Sequence, residues 1–458
     1  MRARLGAGFV LVLSALALTG CWGYSEVNDL AFVTVAALDR APSGGYRWTV
    51  AVPVPELVLP ASLGGAGAGA AGAATRTNLF RSAVGPGPQA AAQALDDRIP
   101  REVRWSFADH ILVGEAAARS GLRPLLEMIS RGYRVERRAS LYVVRGEAGA
   151  MLLQLRPSLD RAVTRSFDAV TRKNRPGTIR GVDGNTVLRW LDTPGTDPFL
   201  PVVTTAGEGS SVSPAAAGIA LFRGDRLVGF LPPPLHHGLL MARGEAHPFT
   251  LVVPCPGETA TAPGGGGSGD RTGGTGVSLQ VDQDEARVRV IGPTAAANGA
   301  GGAGASGAGG VAGSAAAGSG AAGSGAAGSA AVGFAAAGSG ANGIEALSGA
   351  TMPGVRLEVD LAGVVLEWQC RDPQVDRRRI QAVAQAAARQ TRGWIEAALA
   401  RAAALGVDPV GFGAALHRQD PATWRTIRTQ WRAWVRDLRP ELTVTFHVRG
   451  QQLTVSAP

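Results

Sequence analysis

The sequence predicts an α+β protein of more than one domain, with mixed sheets flanked by helices and long Gly/Ala-rich loop insertions. Three observations lead there. In the first half, short apolar strand patterns alternate with helical ones. In the second half, strand runs and long helices are segregated. Tracts of almost pure Gly and Ala fall between neighbouring strands instead of between domains.

Taken in order, Leu30 to Leu38 is an apolar run suited to one buried strand, and Tyr46 to Val54 alternates as a second. Pro88 to Asp97 reads as a helix stopped by Pro100, and His110 to Gly114 as a short strand. "AAARSGLRPLLEMISRGY" follows as one helix, with Leu122, Leu125, Leu126 and Ile129 on a common face, closing near Gly132; "ASLYVVRG" is the next strand. From Ala217, "GIALFRGDRLVGFL" is a hairpin turning at Gly224-Asp225. Then come a helix over Pro234 to Ala242 and strands over His247 to Pro254, Val277 to Val281, Ala286 to Ile291 and Gly354 to Trp368. The longest helix runs from Gln374 to Leu405, with Ile380, Val383, Ala387, Trp394, Ala398 and Ala402 recurring every three or four residues. A short helix, a Trp-rich helix over Pro421 to Leu438, and a strand, Glu441 to Arg449, end the pattern.

The tracts at 61–74, 263–276 and 293–350 offer almost no side chain able to join a core, so they are expected to behave as flexible linkers. The division that results is a leader over 1–20, an N-terminal domain over 21–207 with its loop at 61–74, and a C-terminal domain over 208–458 with insertions at about 257–276 and 293–352. Gly318-Ser319-Gly320-Ala321-Ala322-Gly323 matches a dinucleotide fingerprint by spacing alone, because no strand precedes it.

The first twenty residues place Arg2 and Arg4 before an apolar stretch, Leu5 to Leu18, and end on Thr19-Gly20. That order describes a secretory signal peptide. Its apolar part, about fourteen residues, is short of the ~20 needed to cross a bilayer. Leu18-Thr19-Gly20-Cys21 matches the bacterial lipobox, so Cys21 is expected to take a diacylglyceryl group and become the first residue after cleavage. Two acyl chains anchor stably where one is marginal. The formal charge of +9 is carried almost wholly by arginine and suits work beside an anionic leaflet. No aromatic-basic nucleic-acid motif accompanies it.

Cys255 and Cys370 have no neighbouring Cys or His at ligand spacing, so no metal is expected there. Unpaired thiols are the expectation, with a disulfide as the alternative an exported protein permits. Catalytic patterns are missing as well: no Gly-x-Ser-x-Gly follows a strand and no His-Glu-x-x-His occurs. His236-His237 is expected on a helix surface with the rings diverging, His110 at a strand end, and Asp96-Asp97 late in a helix. The reading is therefore no enzyme, no cofactor and no catalytic residue. In the last helix, Trp424, Ile427, Trp431, Trp434, Val435 and Leu438 share one face, and Arg425, Arg428, Arg432, Arg436 and Arg439 lie beside it. Either the arginines border the core, or Arg425, Arg428, Arg432 and Arg436 meet anionic lipid or a partner.

Several stretches carry a family likeness. "CWGYSEVNDLAFVTVAALDR", "HILVGEAAARSGLRPLLEMISRGYRVERRASLYVVRGEA", "GIALFRGDRLVGFLPPPLHHGLLMARGE" and "DPVGFGAALHRQDPATWRTIRTQWRAWVRDLRPELTVTFHVR", in that order, resemble the Ger(x)C family of spore germination lipoproteins (GerAC and GerBC are typical). They cover most of the chain outside the Gly/Ala tracts. The resemblance implies a multi-domain α+β fold and a non-catalytic subunit on the outer face of the inner spore membrane. It also implies membrane-embedded A and B subunits as partners. The chain departs from the family in its Gly/Ala insertions and in having Arg where relatives often carry Lys. A solute-binding lipoprotein of a transporter is the alternative, though two alternating α/β lobes would be expected of it.

Overall fold

The computed structural model describes residues 26, 29–54, 78–131, 135–156, 163–171, 179–257 apart from 208, 210 and 247, 276–291, 353–449 apart from 373, and the backbone of 454–457. Cys21, Lys173 and nearly all of the three Gly/Ala tracts lie outside the described residues. The described residues up to Val290 and from Val355 onward cluster as one compact unit.

Its strands and helices, numbered in chain order, begin with β1 (Leu30–Phe32), β2 (Val35–Arg40), β3 (Tyr46–Pro53), β4 (Asn78–Gly85), α1 (Pro88–Asp96), β5 (Glu102–Arg104) and β6 (His110–Gly114). There follow α2 (Glu115–Ser120), α3 (Arg123–Ser130), β7 (Ser140–Val144), α4 (Ala148–Gln154), α5 (Val163–Thr171), α6 (Gly184–Asp192), β8 (Phe199–Ala206), β9 (Ser213–Arg223) and β10 (Arg226–Leu231). The remainder is α7 (Leu235–Arg243), β11 (Phe249–Pro254), β12 (Gly276–Ile291), β13 (Gly354–Trp368), α8 (Arg377–Leu405), α9 (Phe412–Gln419), α10 (Pro421–Ile427), α11 (Trp431–Asp437), β14 (Glu441–Arg449) and β15 (Thr454–Ala457).

The larger sheet has eight strands in the order β10-β9-β8-β7-β6-β2-β3-β4. Its centre is parallel, β2 to β6 to β7 to β8, and both edges are antiparallel. Residues Val35–Asp39 of β2 and all of β6 are buried on both faces, as a covered parallel centre requires. The sheet runs past residue 207, with β9 paired along β8 from Phe199↔Leu221 to Ala206↔Ser213. A small parallel pair, β1 with β5, stands apart.

The second sheet is β11-β12-β13-β14-β15. It is packed on one face only, and β11 alternates strictly between buried and exposed. The covering element is α8, which contacts β11, β14 and β15. Asp376 caps it by accepting the Arg379 N–H at 2.7 Å, and Gly406 ends it in the left-handed region at φ +63°. Helix α7 crosses α8 so closely that a Cβ on Gly238 would lie 2.2 Å from the Trp394 carbonyl oxygen. Tracts 61–74 and 293–350 do lie between sheet neighbours, β3 and β4 in one case and β12 and β13 in the other.

Four expectations need correction. The run Leu30–Leu38 is two strands in different sheets, because Val33 N–H donates to Arg104 and Thr34 N–H to Ala51. The expected helix over 116–133 breaks at Gly121, φ +120°, where Leu122 N–H turns to the Asp225 carbonyl. Val277–Val281 and Ala286–Ile291 are one continuous strand, Gly276–Ile291, because an extended backbone runs on through polar residues as readily as through apolar ones. The Trp-rich helix is two short helices, α10 and α11, parted at 428–430 where Gln430 N–H bonds tightly back to Ile427.

Candidate interaction site

The chain leaves α8 at Gly406 and re-enters a helix at Phe412, and the turn between them is organised by Asp408, only 2% exposed. Its carboxylate accepts the N–H groups of Gly411 at 2.7 Å, Phe412 at 3.1 Å and Gly413 at 2.8 Å. Three donors that α9 could not pair internally are thereby satisfied. Burial outweighs these bonds and pushes the Asp408 pKa up to about 6.

Asp197, from the loop between α6 and β8, meets Asp408 through the backbone. Asp408 N–H donates to Asp197 Oδ2 at 3.0 Å, and Asp197 N–H donates to the Asp408 carbonyl at 2.9 Å. The Asp197 carboxylate also accepts Gly224 N–H from the β9–β10 turn at 2.9 Å, and two bonds from Arg432 at 3.2 and 3.3 Å. Beside it the backbones of Gly195 and Gly413 touch. A Cβ on Gly195, which has φ +73°, would lie 2.6 Å from Gly413 Cα and 2.7 Å from the Trp424 ring. One on Gly413 would lie 2.7 Å from Trp431. Only glycine fits at either place.

Over this junction lies a groove of about 540 Å³, lined by Asp197, His417, Trp424, Arg425, Arg428 and Arg432 among others. Trp424 and Trp431 meet edge to face at 5.5 Å and are buried, as are Trp434, Ile427, Val435 and Leu438. The apolar face read from the sequence is therefore core. The arginine stripe is divided by the break at 428–430. Arg425, Arg428 and Arg432 line the groove, whereas Arg436 sits at a second groove with Arg392, Arg439, Leu399 and Leu442. Arg432 is paired with Asp197; Arg425 and Arg428 meet no carboxylate among the described residues.

The histidines are elsewhere. His236 is buried and His237 half-buried, not on a helix surface, and their rings lie 3.9 Å apart instead of diverging. The close crossing with α8 covers the first turn of α7, and His237 stacks on Phe249 at 4.4 Å. Burial pulls His236 down to about 3 and His237 to about 4, so both are neutral near pH 7. His110 does open β6, where it shares 3.1 Å hydrogen bonds with Tyr142 and Asp168. Asp96 of the Asp96-Asp97 pair accepts the Trp105 indole N–H at 2.9 Å. Cys255 and Cys370 form a disulfide, Cα–Cα 5.6 Å, against the expectation of free thiols. It flanks Gly276, whose carbonyl accepts Gln369 N–H, so the two cysteines are juxtaposed by the β11–β12–β13 register.

Doubly wound sheets take ligands at the carboxyl ends of their central strands. At the ends of β2 and β6 that place is filled by the chain itself, whereas a groove of about 470 Å³ opens at the ends of β7 and β8, lined by Val144, Arg145, Thr204 and Thr205 among others. Asp39, at the end of β2, accepts the N–H groups of Ala148 and Gly149 at the start of α4, both at 2.8 Å. A Cβ on Gly114 would fall 2.0 Å from its carboxylate. Asp39, Asp197 and Asp408 all escaped the sequence reading. Asp408 alone had a local signal, an Asp a few residues before a helix; the partners of Asp39 lie 109 and 110 positions away, and those of Asp197 between 27 and 235. Among the described residues, no group of three His, Cys, Asp or Glu could hold a metal, and no helix is long and apolar enough to cross a membrane.

Residues 23–205 match the family described as the spore germination protein N-terminal domain. Residues 347–452 match the spore germination B3/GerAC-like C-terminal family. YfkR of Bacillus subtilis (strain 168), whose name assigns it to spore germination, is 28% identical over 260 residues, 55% of this chain and 64% of that protein. A crystal structure of the GerBC protein covers 91% of this chain and 97% of its own at 12% identity, with a TM-score of 0.47. With the N- and C-terminal families matched in order over more than half of its length, the chain belongs to the Ger(x)C family of spore germination proteins.

Proposed function

We propose that this chain is a lipid-anchored, non-catalytic subunit of a nutrient germinant receptor. Cys21, carrying a diacylglyceryl group, holds it to the outer face of the inner spore membrane, and membrane-embedded A and B subunits are its partners. The observation that carries the reading is the ordered match to both GerAC domains. Two structural features support it. The buried carboxylates of Asp39 and Asp408 are both spent on helix N-termini, the work of a scaffold. The Cys255–Cys370 disulfide suits an exported chain, because reducing compartments rarely keep such bonds. A family of receptor subunits does not favour the solute-carrier alternative.

The anchor is tested by feeding cells a labelled fatty acid. Label should appear in the wild-type chain and vanish in Cys21→Ala, which should also leave the membrane fraction. Membrane retention with label in the variant would refute it.

A further inference from the structure

We infer that the groove over the Asp197–Asp408 junction is a docking site for an acidic segment of another protein chain, its carboxylates taken by Arg425 and Arg428. The inference rests on the receptor-subunit reading and names the chemistry of the partner.

The groove supplies its own precedent. Arg432 already holds a carboxylate there, Asp197, through two bonds at 3.2 and 3.3 Å. Arg425 and Arg428 line the same groove and have no such partner among the described residues. Asp197, the acidic group on the floor, is engaged by Arg432, so the outer two guanidiniums present uncompensated charge. Planar guanidinium forks match carboxylates in pairs. The exposed His417 ring lines the same groove, and Arg is among the residues in which binding energy concentrates.

A lipid surface fits less well. Membrane-seated faces offer aromatic or aliphatic side chains to the acyl boundary. Here Trp424, Trp431 and Trp434 are all buried, and the exposed large apolar residues, such as Val252 and Leu366, lie in other elements. The feature is also a concavity, which admits side chains and excludes a planar leaflet.

The test uses the full chain in non-ionic detergent and a fluorescein-labelled hexaglutamate peptide, read by fluorescence polarisation. Removing both outer guanidiniums, R425Q/R428Q, should weaken binding about tenfold or more. Removing equal charge elsewhere, from exposed Arg101 and Arg138 as R101Q/R138Q, should change it about twofold at most. Circular dichroism confirms that both variants fold. Equal weakening by the two variants would overturn the inference, since only net charge would then matter. No binding by the wild type would overturn it as well. So would an R425Q/R428Q defect seen only with phosphatidylglycerol in mixed micelles, which would make lipid the ligand. None of these outcomes touches the Cys21 anchor, whose labelling is independent of the groove.

Discussion

Asp197 and Asp408 exchange two hydrogen bonds, side chain to backbone at 3.0 Å and backbone to backbone at 2.9 Å, across 211 positions of sequence. The exchange fastens the loop before β8 to the turn after α8. Asp197→Ala should therefore cost about 3–5 kcal/mol in urea unfolding, because the buried Asp408 N–H and the half-buried Gly224 N–H lose their acceptor and Arg432 its counter-charge. Arg432→Gln removes a side chain that is 54% exposed and should cost about 1 kcal/mol or less. Equal costs would mean that the ion pair, not the backbone exchange, carries the junction.

Gly413 and Gly393 make a matched pair. An Ala at 413 must push aside the Gly195 backbone and Trp431, so Gly413→Ala should destabilise by about 1–3 kcal/mol. Gly393 lies in α8 with nothing within 4 Å of its would-be Cβ, so Gly393→Ala should stabilise by up to about 1 kcal/mol. Thermal melting of the two variants against wild type decides it.

The disulfide closes a loop of 115 residues that includes two of the Gly/Ala tracts. Long loops gain most from closure in the chain-entropy account, so the Cys255→Ala/Cys370→Ala variant should lose about 2–5 kcal/mol. A melting temperature unchanged in the double variant would show that the β11–β12–β13 register holds without the bond.

Acid should act through the histidine pair. His236 and His237 titrate in the fold at about 3 and about 4, below the ordinary 6.5, so the folded state binds fewer protons than the unfolded one. Their stabilisation is complete above pH 6.5 and is lost as the pH falls toward 4. Asp408, raised to about 6, has the opposite sign: its share is full at low pH and declines as the pH rises through 6. His237→Phe keeps the stack on Phe249 and removes one acid-labile group. Relative to its own value at pH 7, the variant should lose about 1–2 kcal/mol less than wild type by pH 5. Parallel pH profiles would exclude the pair as the source.

Local pattern made much of the fold legible. The limits of β13 and β14 fall where alternation places them, and the Gly224-Asp225 turn joins β9 to β10. The break between α10 and α11 was not legible, because Trp424, Ile427, Trp431 and Trp434 keep helical spacing across it and no Gly or Pro marks it. Helices α4, α5 and α6 and strand β8 went unread as well. Helix α4 is only seven residues long and its cap, Asp39, comes from β2, so its start signal is tertiary. The groove shows the same division. The apolar and arginine faces could be read from spacing, whereas Asp197 and the Gly195–Gly413 contact belong to the folded chain alone.

The role proposed for this chain is that of one subunit of a membrane-bound germinant receptor. The direct measurement is affinity purification of the tagged full chain from detergent-solubilised spore membranes, with mass spectrometry of what accompanies it. Multi-span germination proteins of the A and B types should accompany the tagged chain in fixed proportion to it. Recovery of an ATP-driven importer in their place, or of the chain alone, would contradict it.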